Sequence, residues 1–486
     1  MIQTYSDTTS ELTPVSHKLV GNVGNQSARL KPDQIFKAKD PLMLSEFADY
    51  AGYCLESFRE KLALYSSVDG IEANLDQINA YENCEALEPP RNVCLLDEKR
   101  LSRAELKQAE DCILAGRILT EHTAAGEGAH LEVGTPYLIN PPVNYSLEKV
   151  ASLVSRVTET EVTTEEILSI SECSPEDLLP LALGSRHMFQ LSFDITRLAQ
   201  RRGYDPFEVL RRQHLLVILN ETSADDIMAE FRENDFFGFN HQRVYFMIQK
   251  SYFGINVFNG HLYYDGNSAE RFHNHGQMVM QQTADNEIFR IRKSGIAQYL
   301  TSSAFGELLK CMDAKVSYGI EDLEYLTRAI DIPALALSLK KAKQGYDMLM
   351  EIVANDPKHP QKGGMAAYDP VLGRNVVVEG FQLNQKEDRK IRFVNRNCNH
   401  YPNPYHAWSR LKQEGLNIPV AVKGRYLYGQ AAQADINFLV RTEFFKRKKM
   451  QLIQCLKSPS SLPTAMRYMR LQDLQEGFRD YVGVFD

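Results

Sequence analysis

The 486 residues are 43% hydrophobic and 24% charged, with 63 acidic against 55 basic side chains and a formal net charge of -8. That is enough apolar material for a sizeable core in two or three units, and the acidic balance excludes a general nucleic-acid coat. Eight scattered cysteines with no CxxC pair suit reduced thiols in a cytoplasmic protein better than a disulfide framework.

Residues 1–40 are rich in Ser, Thr, Asn and Gln and read as a loosely held arm. Met1 to Ser10 carry neither the basic nor the apolar region of a signal peptide, and no apolar run reaches the ~18 residues that span a bilayer. Leu44, Phe47, Tyr50, Ala51, Leu55 and Phe58 recur at helical spacing. So do Leu106, Ala109, Ile113 and Leu114, within a helix expected over 102–120. Residues 41–119 are therefore expected to form a helical N-terminal extension, broken at Pro89-Pro90.

After residue 120 short apolar runs alternate with helical ones. Leu215 to Leu219 and Val244 to Ile248 read as buried strands, with a helix from Ala224 to about Arg232 between them. Such alternation predicts an α/β fold with a mostly parallel sheet, whose ligands bind outside the carboxyl ends of the strands. Beyond 385 the chain turns basic, and residues 386–486 are expected to form a smaller C-terminal unit. A helix is expected around Lys446-Arg447-Lys448-Lys449, its charges forming a solvated face. Cys398, His400 and His406 sit in a turn-rich loop, where a metal site is the minor reading.

The segment from Ala124 and Ala125 through Gly126, Gly128, Ala129, His130 and Leu131 to Pro136 and Tyr137 lets backbone amides approach a phosphate. It also fits a plain surface turn, and no Gly-Lys-Ser/Thr follows to make a Walker A loop. The loop resembles the Gly-x-Gly-Thr-Arg-Leu-Gly signature, followed by Pro-Lys, of UDP-sugar and UDP-N-acetylglucosamine pyrophosphorylases. Gly126, Gly128, Leu131 and Pro136 match, whereas Ala129, His130 and Tyr137 stand where that family has Thr, Arg and Lys. Further matches follow in order over residues 120–385. Ser185 to Gln190 resembles Ser-x-Lys-x-Leu-Phe-Gln, and Leu216 to Asn220 resembles the strand ending Met-Thr-Ser. Asn234 to Phe239 resembles Asn-x-Tyr-Phe-Gly, and Gln249 falls where a Gln reads uracil. Phe272 to Gln277 resembles the loop against nucleotide and sugar. Glu321-Asp322 falls on an Asp-Asn pair, Lys362-Gly363-Gly364 on Lys-Val-Gly, and Val377 to Gly380 on Val-Val-Glu-Tyr.

The resemblance implies a Rossmann-like, glycosyltransferase-A-like nucleotidyltransferase domain over 120–385. It implies a uridylyltransferase that joins UTP and a sugar 1-phosphate to give a UDP-sugar and pyrophosphate. The implied nucleotide and sugar pocket is Ala125, Gly126, Gly128, Gln249, His273, Asn274, His275 and Gly276. The implied Mg²⁺ ligands are Glu321 and Asp322, and His130, Arg186 and Lys362 are the cations left to meet phosphate charge. Each has a plainer alternative: Gly126 and Gly128 as turn residues, Gln249 as a strand cap, His273 and His275 as a solvated loop or a zinc pair, Glu321 and Asp322 as a helix start, Lys362 as a loop cation. The altered signature leaves two alternatives beside the active enzyme. One is a catalytically impaired relative that binds nucleotide and engages a protein partner through the helical or basic flank. The other is a transferase with a changed substrate.

Overall fold

The computed structural model describes residues 50–126, 134–265, 270–355, 363–383, 392–447 and 455–485. The arm at 1–40 and the first residues of the expected helical extension, 41–49, therefore lie outside the described residues, as do Gly128, His130 and Lys362. Among the described residues no helix is long and apolar enough to cross a membrane.

One sheet of twelve strands runs through the molecule. We number them β1 (Cys94–Leu96), β2 (Ile118–Thr123), β3 (His214–Asn220), β4 (Val244–Gln249), β5 (Ile288–Ile291), β6 (Ala297–Tyr299), β7 (Ala314–Gly319), β8 (Met348–Ala354), β9 (Gly364–Asp369), β10 (Arg374–Glu379), β11 (Phe393–Tyr401) and β12 (Thr442–Arg447). The order is β1-β12-β8-β11-β7-β2-β3-β4-β5-β6, with the β9–β10 hairpin attached to β11. Strands β7, β2, β3 and β4 are mutually parallel. Their residues are buried almost end to end, because helices cover both faces. The fold is thus the expected α/β class with a mostly parallel centre.

The helices that matter here are α1 (Tyr50–Lys61), α2 (Arg103–Leu114), α3 (Leu147–Thr158), α4 (Thr164–Ser171), α5 (Leu183–Arg201), α6 (Pro206–Arg211), α7 (Ala224–Glu233), α8 (His275–Gln281), α9 (Ile332–Ala342) and α10 (Leu462–Asp473). Helix α2 starts at a capping box between Ser102 and Glu105. It stops at Leu114, earlier than expected, because Gly116 takes φ +66° and its missing Cβ lets the backbone of Arg212 approach. Residues 118–120 then open β2. The helix expected around Lys446 is a strand instead. Phe444 and Phe445 point to opposite faces of β12 and are both fully buried, which strand periodicity allows and one helix face does not.

Residues on either side of 385 share the main sheet. β11 and β12 lie between or beside strands from earlier in the chain. A separate small sheet joins Val420–Lys423 and Tyr426–Gly429 to Ile255–Phe258 and His261–Tyr264.

The core beneath the β2 end contains an unusual polar knot. His122 of β2 lies 5.3 Å from the ring of His187 on α5, 4.9 Å from Tyr318 of β7 and 6.4 Å from Tyr137. All four are buried, and the His122 ring nitrogens have no hydrogen-bond partner among the described groups. Burial holds His122 well below its ordinary value, and His187 down to about 3. A histidine depressed in the folded state keeps its contribution above the unfolded value of about 6.5 and loses it as pH falls, at about 1.4 kcal/mol per pH unit. Buried Asp194 and Asp322, pushed up to about 6, act in the opposite direction. The test is therefore the difference between variant and parent. His122→Leu should make stability, measured by urea unfolding, fall less steeply by about 1.4 kcal/mol per pH unit between roughly pH 6.5 and 5. Parallel curves for the two proteins would refute it.

Candidate active site

The four parallel strands end side by side, and their carboxyl edge carries the residues that chemistry would use. After β2 the chain continues through Ala124, Ala125 and Gly126. Ala124 donates its N–H to Ile218 at 2.8 Å, and the Asn220 amide donates to Ala125 O at 3.3 Å, so the loop is tied to the end of β3. After β7, Ile320 donates to Thr123 O at 3.0 Å, which sets Glu321 beside that loop. A Cβ placed on Gly126 would stand 3.7 Å from Glu321 Oε1.

Glu321 is half-buried, and burial raises its carboxyl against the opposing pull of Lys457. Lys457 arrives from the far C-terminal segment, because Leu456 donates its N–H to Glu321 O at 2.9 Å. It is exposed, and its ammonium also helps depress His275 after burial and His273. His275 is exposed at the start of α8. Glu321 thus stands beside Gly126, and Lys457 is within electrostatic reach of both Glu321 and His275.

The β4 end builds its other wall. Gln249 is 5% exposed, and its amide nitrogen donates to Asn274 O at 2.5 Å. Asn274 caps α8 by accepting from Gln277 N at 3.0 Å and donates to Gly429 O at 2.7 Å. Gly276 donates to Ala431 O at 2.8 Å, and a Cβ there would stand 2.4 Å from the Ala431 Cβ, so only glycine fits. Gln249, Asn274 and Gly276 are joined in one scaffold that presents His273 and His275. One N–H of the Gln249 amide expected to read uracil is spent on holding that scaffold.

Two of the expected site residues are placed elsewhere. Arg186 is fully buried between α5 and α10. Its guanidinium binds Asp473 at 2.7 Å, Gln472 at 3.1 Å and Leu179 O at 2.7 Å, so it braces two helices instead of facing phosphate. Asp322 is also buried, with Arg396 at 3.0 and 3.2 Å and the Glu324 N–H at 3.1 Å on its oxygens. Both of its oxygens are engaged by donors inside the protein. Tyr137, where the resembled family has Lys, is fully buried with its ring against Gly184 of α5.

Among the described residues no group of three or more His, Cys, Asp and Glu is arranged to hold a metal ion. Cys398 meets the Tyr325 hydroxyl at 2.7 Å, His400 packs on Phe445, and His406 meets Asp347 at 2.9 Å. Mg²⁺ usually takes only one or two carboxylates alongside substrate phosphates. Glu321 fits that role, and Asp322 does not.

Lys457 was invisible to motif reading. It lies 331 residues beyond Gly126 with no marking pattern, and only the return of the chain to Glu321 reveals it. Glu379 was seen only as part of a match. It ends β10 half-buried, and burial pushes its carboxyl up to about 7.

No protein-family model and no curated protein matches the sequence. Solved structures do match. The UDP-N-acetylglucosamine pyrophosphorylase of Trypanosoma brucei, solved with an inhibitor, is 13% identical, with 90% of this chain and 83% of that chain covered at a TM-score of 0.54. Two point variants of the UDP-glucose pyrophosphorylase of Leishmania major align at TM-scores of 0.51. They are 13% and 12% identical, covering 86% and 84% of this chain and 79% and 76% of theirs. At such identity the likeness concerns architecture, and this chain has the α/β fold seen in those UDP-sugar pyrophosphorylases.

Proposed function

We propose that the chain is a UTP-dependent sugar-1-phosphate uridylyltransferase that forms a UDP-sugar and pyrophosphate. The observation that carries this reading is the convergence of Gly126, Glu321, Lys457 and His275 at the carboxyl edge of four parallel strands. In this reaction an oxygen of the sugar phosphate attacks the α-phosphorus of UTP, and the bond to the departing pyrophosphate breaks. The protein's work is to align two anions and neutralise charge as it shifts. Backbone amides around Gly126 approach the triphosphate. Lys457 supplies a fixed positive charge at the same edge. His273 and His275 face the base and sugar from the α8 scaffold. Glu321 would hold Mg²⁺, which supplies charge neutralisation on the phosphates when bound.

A second reading has an observation of its own. Arg186 is consumed by Asp473, and Tyr137 is buried where the resembled family has a lysine. The withdrawal of these two positions, among the described residues, favours a relative that binds nucleotide and turns over slowly or not at all. Pyrophosphate release from UTP with Mg²⁺ across a panel of sugar 1-phosphates, read beside calorimetric binding of UTP, separates the two. Release with one sugar supports the transferase and names its acceptor. Binding without release supports the impaired relative. Neither binding nor release overturns both.

A further inference from the structure

The opposite edge of the sheet, where the parallel strands begin, has a different chemistry. Arg212 precedes β3, Arg243 precedes β4, Arg290 and Arg292 lie at the end of the antiparallel β5, and Arg232 lies near the end of α7. They form a connected face. Arg243 donates to Arg212 O at 2.8 Å and lies 3.1 Å from His214 Nε2. Arg290 donates to Gln242 O at 2.9 Å, and the tip of Arg232 reaches Gly295 in the β5–β6 turn. None of these five guanidinium groups has a carboxylate partner among the described residues. Of the carboxylates nearby, Glu208 is taken by Arg211 at 3.0 Å and Asp235 by Lys293 at 2.9 Å. The Nε of Arg290 is buried and without a partner. The field is felt locally, since Arg243 adds to the depression of His214 and both Arg243 and Arg290 pull on Tyr245.

Elsewhere the same chain presents the complement. Residues 157–177, from the end of α3 through α4, contain seven acidic side chains and no Lys or Arg. Glu172 is held by Arg467 and Arg470. Glu159, Glu161, Glu165 and Glu166 are exposed and make no ion pair among the described residues. Leu168 and Ile170 stand exposed beside them.

We propose that the arginine face of one chain binds the acidic α3–α4 segment of a second copy. The guanidinium fork matches carboxylates in geometry as well as charge. The two surfaces differ, so the contact is heterologous and builds a ring or an open row rather than a two-fold dimer. A nucleic acid fits less well. It would run off a compact patch onto a protein of net charge -8, where long-range repulsion opposes it.

The test is the mass of the full-length chain by sedimentation velocity, at about 50 mM and about 500 mM salt, since the Debye length falls severalfold over that range. The mass should rise with concentration at low salt and return to monomer at high salt. Two variants reverse one surface each: Arg212→Glu with Arg292→Glu, and Glu161→Lys with Glu165→Lys. All four side chains are exposed, and unchanged urea midpoints would show that both variants fold. Each alone should lose self-association at least tenfold, and an equimolar mixture of the two should recover it. A wild type that stays monomeric at low salt overturns the proposal. So does a mixture that fails to associate, or association untouched by either variant. Capture of an oligonucleotide by the arginine face, with no self-association, overturns it in favour of the other class of partner.

Discussion

Asp473→Ala should destabilise the folded chain by about 3–5 kcal/mol, the usual result of leaving a buried charge without its partner. Arg186 and Asp473 are 0% and 2% exposed at their side chains. Asp473 accepts from Arg186 Nη1 and Nη2 and from the Leu179 N–H at 2.9 Å, so one deletion removes three hydrogen bonds. The remaining acceptors, Gln472, Met469 O and Leu179 O, are neutral and cannot replace the lost charge. Removing both charges together is a different experiment. Arg186→Met with Asp473→Leu keeps the packing volume and discards the desolvation penalty, so most of the loss should return. Urea unfolding of the two variants measures both effects. A loss under about 1 kcal/mol for Asp473→Ala would show that water reaches the guanidinium, contrary to its burial. The double variant also bears on function. Because Arg186 braces α5 against α10 and does not face the candidate site, nucleotide binding by the double variant should match that of the parent.

The same pair shows why the sequence was legible in some places and not in others. The runs around Leu215–Leu219 and Val244–Ile248 announced strands because central parallel strands are buried on both faces and read as continuous apolar stretches. The ends of those strands, and with them Ala125, Gly126, Gln249 and Glu321, could then be placed on one edge by topology alone. What local pattern could not supply was the destination of each side chain. Arg186 and Asp322 are a cation and an anion of the right type in the right order, but the opposite charges they bind, Asp473 and Arg396, lie 287 and 74 residues away. Residue type cannot distinguish a carboxylate that waits for a metal from one already bound to Arg396. Lys446 and Arg447 misled for a related reason. A run of charge suggests a solvated helix, whereas Arg447 reaches from β12 to Glu351 at 2.7 Å and is part of an ion network.

Lys457→Ala should lower kcat by roughly 100- to 1,000-fold if the chain turns over a sugar 1-phosphate, the usual loss for one transition-state donor. The expectation rests on position. Lys457 is exposed, and among the described residues its charge acts on both Glu321 and His275. An exposed lysine with no buried partner contributes little to folding, so the urea midpoint should stay within error while activity falls. The split between kcat and KM identifies the stage at which the charge acts. A fall in kcat with KM unchanged means the ammonium meets charge that develops only in the transition state, and a rise in KM alone means it holds the ground-state phosphates. A second readout separates a direct role from a general loosening. Without Lys457 the Glu321 carboxyl loses the one opposing charge and rises further, and His275 is relieved of a positive neighbour and rises as well. The acid side of the pH profile should therefore move to higher pH in Lys457→Ala and stay near its original place in Lys457→Arg. If the chain binds nucleotide without turnover, the same substitution should weaken UTP binding about tenfold, the loss of a single charge-assisted contact. Full activity, or unchanged UTP affinity, in Lys457→Ala would remove this lysine from the site and with it the observation on which the proposed function rests.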